Sequence, residues 1–367
     1  MMMKFLNIGF VCSGLILTPF IGSTQDLIKH SKPVNIILMI ADGVGINQMS
    51  GSLYQYNHAL LVEKMPFIGL QKTNSFNSLN SDPAAAATAI ACGVKSFDGA
   101  LGVNMDSISI PSIVKIGADN NMKTGVVTTA SMTHVSSAAF WAHSSGYKNE
   151  EYIASQLPGS PLDLIIGGGE KFFTDRQDKK NLMEDLQRQG YQTLSILPEA
   201  KSFPTADFSK KYVAFTALDW PLSVTEGRKY LSSAVSFAID FLSKKDKKKD
   251  GFFLLVNSAQ IALGAKLNNP EYMLSEYNDF DEALAKVLDF AERDKETLVI
   301  VTSAYETGGY SVNPGSKREK LQHEFTGKTT TGTLVPVFSQ GPGAIKFTGF
   351  FENVDFLPRL KALFGWN

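Results

Sequence analysis

Six apolar runs of strand length recur along the chain, and they restrict its fold more than any other feature. They are 34–40 (VNIILMI), 124–129 (TGVVTT), 164–166 (LII, then Gly167-Gly168-Gly169), 252–256 (FFLLV), 297–302 (TLVIVT) and 334–338 (LVPVF). Short continuous apolar runs without polar alternation suit strands buried on both faces of a parallel sheet. Helical stretches lie between them. The clearest opens at Asn269-Pro270, an N-cap residue with proline at the first helical position. Met273, Tyr277, Phe280, Leu284, Val287 and Ala291 follow at spacings of three and four. This alternation predicts an α/β protein, a doubly wound α/β/α sandwich with a mostly parallel central sheet.

Composition narrows the class. Hydrophobic residues are 44% of the 367 and charged residues 19%, which excludes a disordered chain. The formal net charge of −1 excludes a basic nucleic-acid-binding surface as the main feature. Lys4 precedes an uncharged, mostly apolar stretch that ends at Gly22-Ser23-Thr24. Residues 1–24 are therefore expected to be a signal peptide, with 25–367 as one domain and a periplasmic or extracellular destination. Pro19 and the short run argue against a spanning helix, and no transmembrane segment is expected after cleavage. Cleavage near Thr24 would leave Cys92 as the only cysteine, expected as a buried small hydrophobe. The run 244–250 (KKDKKKD) reads as a solvated loop.

In open parallel sheets, ligands bind at the carboxyl ends of the strands. The positions to read are therefore Asp42, 257–266, 303–309 and 329–331.

Several segments together resemble the alkaline phosphatase family. They are NIILMIADGVG (35–45), DPAAAATAIACGVKSFDGALGV (82–103), VVTTASMTHVSSAAFWAH (126–143) and DLIIGGG (163–169). Residues 256–264, LVIVTSAYETGG (298–309) and TGTLVPVFSQGPGA (331–344) continue the match in family order. The resemblance implies two zinc ions, one magnesium ion and a serine nucleophile. Two metals about 4 Å apart clamp the attacking and leaving oxygens of an in-line displacement. Zinc takes imidazole and carboxylate ligands, and magnesium takes oxygen.

At the aligned positions this chain carries other residue types. The nucleophile position, after Asp82, holds Pro83. Where the resemblance implies a glutamate for magnesium and an aspartate and a histidine for one zinc, the chain has Asn257, Ala262 and Lys266. The aspartate–histidine pair of the other zinc aligns with Ala304-Tyr305, and the C-terminal zinc histidine with Thr330. The phosphate-gripping arginine aligns with Tyr147. Asp42, which would bridge zinc and magnesium, survives, as do His134 and Ser136 beside the magnesium site.

The sequence therefore points to an exported phosphatase-like pseudoenzyme, with no catalytic residue and no bound cofactor expected. Asp42, His134 and Ser136 are the residual metal candidates. The partner would be a protein or a small organic ligand, with a homodimer or a heterodimer with an active paralogue as options. The alternative is an active metal-dependent phosphate-ester hydrolase with a relocated or reduced metal site. Tyr147 and Tyr305 are expected to offer aromatic surface at the pocket. Glu306 is expected to shape a turn, and His323-Glu324 to form no metal site. Lys266 is expected to pair with Asp42 and to depress its pKa.

Overall fold

The computed structural model describes residues 32–196, 203, 207–244 and 250–366. The expected signal peptide and most of the 244–250 loop lie outside them. The main sheet uses β1 (Asn35–Ala41), β2 (Phe67–Lys72), β3 (Lys123–Ser131), β4 (Leu164–Gly168) and β5 (Tyr191–Ser195). It continues with β6 (Lys211–Phe215), β7 (Phe252–Ser258) and β8 (Thr297–Thr302). The short strands β9 (Glu306–Thr307), β10 (Tyr310–Val312), β11 (His323–Phe325) and β12 (Thr330–Thr331) form two small ladders. β13 (Val335–Gln340) and β14 (Gly349–Glu352) return to the main sheet.

The ten-stranded order is β14-β2-β13-β8-β1-β7-β3-β4-β6-β5. β13 runs antiparallel to both its neighbours, and the remaining pairings are parallel. The sheet is thus the mostly parallel one expected. All six apolar runs are strands.

β1 shows why such runs make central strands. Ile36, Leu38 and Ile40 enter the core on one face, with the alanines of helix α2 (Pro83–Cys92). Ile37, Met39 and Ala41 enter the core on the other face, with helix α4 (Pro270–Asp294). A strand's side chains alternate between faces, so a strand with both faces covered must be apolar at every position. α4 begins as expected: Asn269 caps it by accepting from the Tyr272 N–H at 3.0 Å, with Pro270 at the first position.

The site end is set by close approach. After Asp42, Gly43 adopts φ +78°, and a Cβ there would lie 2.9 Å from Ala262 Cα. Glycine is thus required where the β1 turn crosses helix α3 (Gln260–Lys266), which follows β7. Ala41 pairs with Ser258 and Ile40 with Thr302, so β7 and β8 flank β1 and end beside Asp42.

Candidate functional site

Asp42 is fully buried, and neither carboxylate oxygen has a hydrogen-bond partner. Burial pushes its pKa up to about 6, against the pull of Ser136, Asn257, Lys266 and Tyr305. Those groups stand near enough to act on the carboxyl, but none completes a hydrogen bond of ordinary geometry. Lys266 donates to neither oxygen of Asp42. The expected depression of the Asp42 pKa is therefore overturned: the loss of water around a fully enclosed carboxylate outweighs one ammonium at a distance.

Ser136 and Asn257 come from the ends of two other strands. Ser136 lies in a short helix after β3, is fully buried, and its Oγ has no partner. Asn257 accepts from Thr128 Oγ1 at 3.1 Å, while its Nδ2 has no partner. His134 heads the same short helix. Its Nδ1 is enclosed and unpartnered, and burial, then the Lys266 charge, pushes the imidazole down to about 3. The ring is therefore neutral at ordinary pH.

Tyr305 leaves the end of β8 and is 1% exposed. Burial first, then the Asp42 charge, holds its phenol well above the usual tyrosine range, with Ser136 also beside it. The expectation that Tyr305 offers aromatic surface is thus corrected: its ring fills the interior beside Asp42, because its neighbour Ala304 and its own ring are both inside the core. Tyr147 is half-buried against the same core, near Asp82 and Asp98.

Asp82 and Pro83 do what their types predict for a helix start. Asp82 caps α2, accepting from the Ala85 N–H at 2.8 Å and the Gly99 N–H at 2.9 Å. Pro83 takes the first position, where no N–H is needed. Ala262 is buried in α3 against Gly43, and Lys266 ends that helix half-buried. Thr330 pairs with Thr307 in the β9–β12 ladder, whose Thr307 N–H donates to Gly43 O at 3.1 Å. Glu306 does shape a turn: it accepts from Gln48 Nε2, the Gly309 N–H and Thr331 Oγ1. His323 is bound elsewhere, its Nδ1 2.8 Å from Tyr310 Oη.

One site residue was missed from sequence. Trp220 lies edge-on to His134, with ring centroids 4.9 Å apart. It follows β6, a strand that the sequence reading did not find. A cavity of about 1370 Å³ opens at the opposite end of the sheet, beside Asn35, Lys123 and Phe252, and has no part in this cluster.

The donors acting on Asp42 are one hydroxyl, one amide and one phenol, with an ammonium farther off. Among the described residues, no three His, Cys, Asp or Glu side chains converge. This donor set does not fit a pair of zinc ions, which need several imidazole and carboxylate ligands each.

A family profile described as Alkaline phosphatase matches residues 33–323. Alkaline phosphatase 3 of Bacillus subtilis is 31% identical over 302 residues, which are 78% of this chain and 63% of that protein. The repressible alkaline phosphatase of Saccharomyces cerevisiae is 31% identical over 339 residues, 82% of this chain and 60% of that one. The chain thus spans about three fifths of the length of these relatives. The solved alkaline phosphatase of the Antarctic bacterium TAB5 is 36% identical, with TM-score 0.85 over 92% of this chain and 100% of that chain. The Thermus thermophilus alkaline phosphatase shares the fold at 18% identity and TM-score 0.82. The matched profile, the relatives and the strand-end cluster around Asp42 agree: the chain belongs to the alkaline phosphatase family.

Proposed function

We propose that this chain is an exported alkaline phosphatase-family protein that has lost phosphomonoester hydrolysis and acts by binding a partner protein. The observation that carries this reading is Pro83 at the first position of α2. It stands where the family resemblance implies the nucleophile, and it has no atom that can attack phosphorus. The surrounding types support the same reading. Ala262, Ala304, Tyr305, Lys266 and Thr330 replace ligands to two zinc ions. Tyr147 replaces the arginine that would hold a phosphate.

Closure of the site favours a protein partner over a small ligand in the old pocket. Asp42, Ser136, Asn257, Ala304 and Tyr305 are all within 1% of full burial. Among the described residues no helix is long and apolar enough to cross a membrane. Export itself rests on residues 1–24 and is tested by the N-terminal sequence of the protein recovered from its native cell.

The deciding experiment is a phosphomonoesterase assay on the purified chain at alkaline pH with zinc and magnesium added. No turnover above the buffer rate is expected. Each 1.36 kcal/mol of lost transition-state stabilisation is about tenfold in rate, and nucleophile and metal clamp are missing together. Metal-dependent turnover that survives repurification would instead favour the second reading, a hydrolase built on the retained Asp42, His134 and Ser136.

A further inference from the structure

Asp42 poses a problem that the loss of metals creates. A carboxylate is enclosed at the centre of the sheet, and neither oxygen has a hydrogen bond. Ser136 Oγ and Asn257 Nδ2, which act on it, are unpartnered as well. Leaving such groups without a counter-charge is costly, yet the positions of the missing dications carry two substitutions with polar ends. β1 lies between β7 and β8 in the sheet. From the β7 side, α3 crosses the Asp42-Gly43 turn at Ala262 and ends in Lys266. From the β8 side, Tyr305 brings a buried phenol to Asp42 and Ser136. Lys266 lies one turn beyond Ala262 on α3, and its charge acts on Asp42, Asp82 and His134.

We propose that Lys266 and Tyr305 together stand in for the metal ions of this fold, Lys266 as a fixed positive charge and Tyr305 as a space-filling polar plug, so that the native structure needs no divalent metal. The two substitutions come from opposite sides of β1 and do different work. Neither replaces a zinc ion alone. The ammonium supplies charge without needing a ligand set, and the ring excludes water from the volume that a metal and its substrate would take. This inference rests on the proposed loss of zinc sites, but it is a statement about stability and not about turnover.

The test is thermal unfolding of the full chain as purified, after treatment with a chelator, and with millimolar zinc or magnesium, together with metal analysis of the same samples. The wild type is expected to give one Tm under all these conditions and to hold substoichiometric metal. Lys266→Ala, which opens the volume and removes the charge, is expected to lose several degrees in Tm and to regain part of that loss in magnesium. Lys266→Arg, which keeps the charge, is expected to melt near wild type. A wild-type Tm that falls with the chelator and returns with one metal would overturn the proposal. So would a Lys266→Ala protein with wild-type Tm and no response to metal. Should Lys266→Ala fail to fold, the wild-type melts still decide. An inactive protein that is metal-stabilised would sink this inference alone, whereas an active protein with a metal-independent Tm would sink the loss-of-activity reading alone.

Discussion

At Asp42 two effects oppose each other and burial wins. Its folded-state pKa is about 6, above the unfolded value of about 3.9. The native state therefore holds the Asp42 proton more tightly than the unfolded chain does. The resulting stability is fully present below the unfolded pKa and is lost as pH rises through about 6. The gap between those two values corresponds to roughly 3 kcal/mol. Asp42→Asn should thus stabilise the protein by roughly 2–3 kcal/mol near pH 8 and change little near pH 4, as read from urea unfolding at both. A destabilised Asp42→Asn protein near pH 8 would mean that Lys266 neutralises the carboxylate fully. Pro83 gives a second residue-scale prediction. Pro83→Ser should remain without turnover in the presence of zinc, because a serine hydroxyl with no adjacent metal or base is not activated. Its stability should stay close to wild type, because Asp82 still caps the helix. A steady-state assay showing zinc-dependent hydrolysis by Pro83→Ser would show that a metal site persists.

At the scale of elements, legibility followed burial. β1, β7 and β8 are buried at every position, so their sequences read as uninterrupted apolar runs. β5 (YQTLS) and β2 (FIGLQK) have mixed burial and polar residues, and neither stood out by apolar content. Missing β6 hid Trp220, since a loop is placed at the strand ends only once its strand is known. Asp82, Pro83 and Asn269 were legible because capping is local, needing only a few consecutive residues. The burial of Tyr305 was not, since a ring's direction depends on neighbours far away in sequence. The same holds for a buried ion cluster that tethers α4. Arg228 is 1% exposed and donates to Glu276 at 2.7 Å and to Asp279 at 2.6 Å, both on α4. Glu276 also accepts from the Val224 N–H at 2.8 Å. Arg228→Met should strand two enclosed carboxylates and cost roughly 3–5 kcal/mol in chemical denaturation. Replacing Arg228, Glu276 and Asp279 together by apolar residues should cost less than that single change.

At the scale of the whole molecule, the proposed loss of function separates the fold from the residue types that the family resemblance implies on it. Positions 83, 257, 262 and 266, 304 and 305, and 330 come from α2, β7, α3, the turn after β8, and β12, and the β8-β1-β7 order is what sets the ends of β7 and β8 beside Asp42. The TAB5 alkaline phosphatase superposes with TM-score 0.85, so the two chains share the scaffold geometry. If scaffold and chemistry are separable in this way, restoring the types should restore the site. The restored chain would carry Pro83→Ser, Asn257→Glu, Ala262→Asp, Lys266→His, Ala304→Asp, Tyr305→His and Thr330→His. Each change installs the ligand or nucleophile type that the family resemblance implies at that position. The combined protein should be less stable than wild type without metal, because it groups several carboxylates and imidazoles around Asp42 with no counter-ion. Zinc should then raise its Tm, since a ligand that binds only the folded state stabilises it by mass action. Hydrolysis of a phosphomonoester should appear only in the zinc-loaded form, and weakly, because Tyr147 still stands where the phosphate-gripping arginine is expected. Adding Tyr147→Arg should raise that activity by lowering KM more than by raising kcat if the arginine mainly binds phosphate in the ground state. A folded restored chain that binds no zinc would show that the strand ends have moved as well, and that the fold itself no longer positions a metal centre.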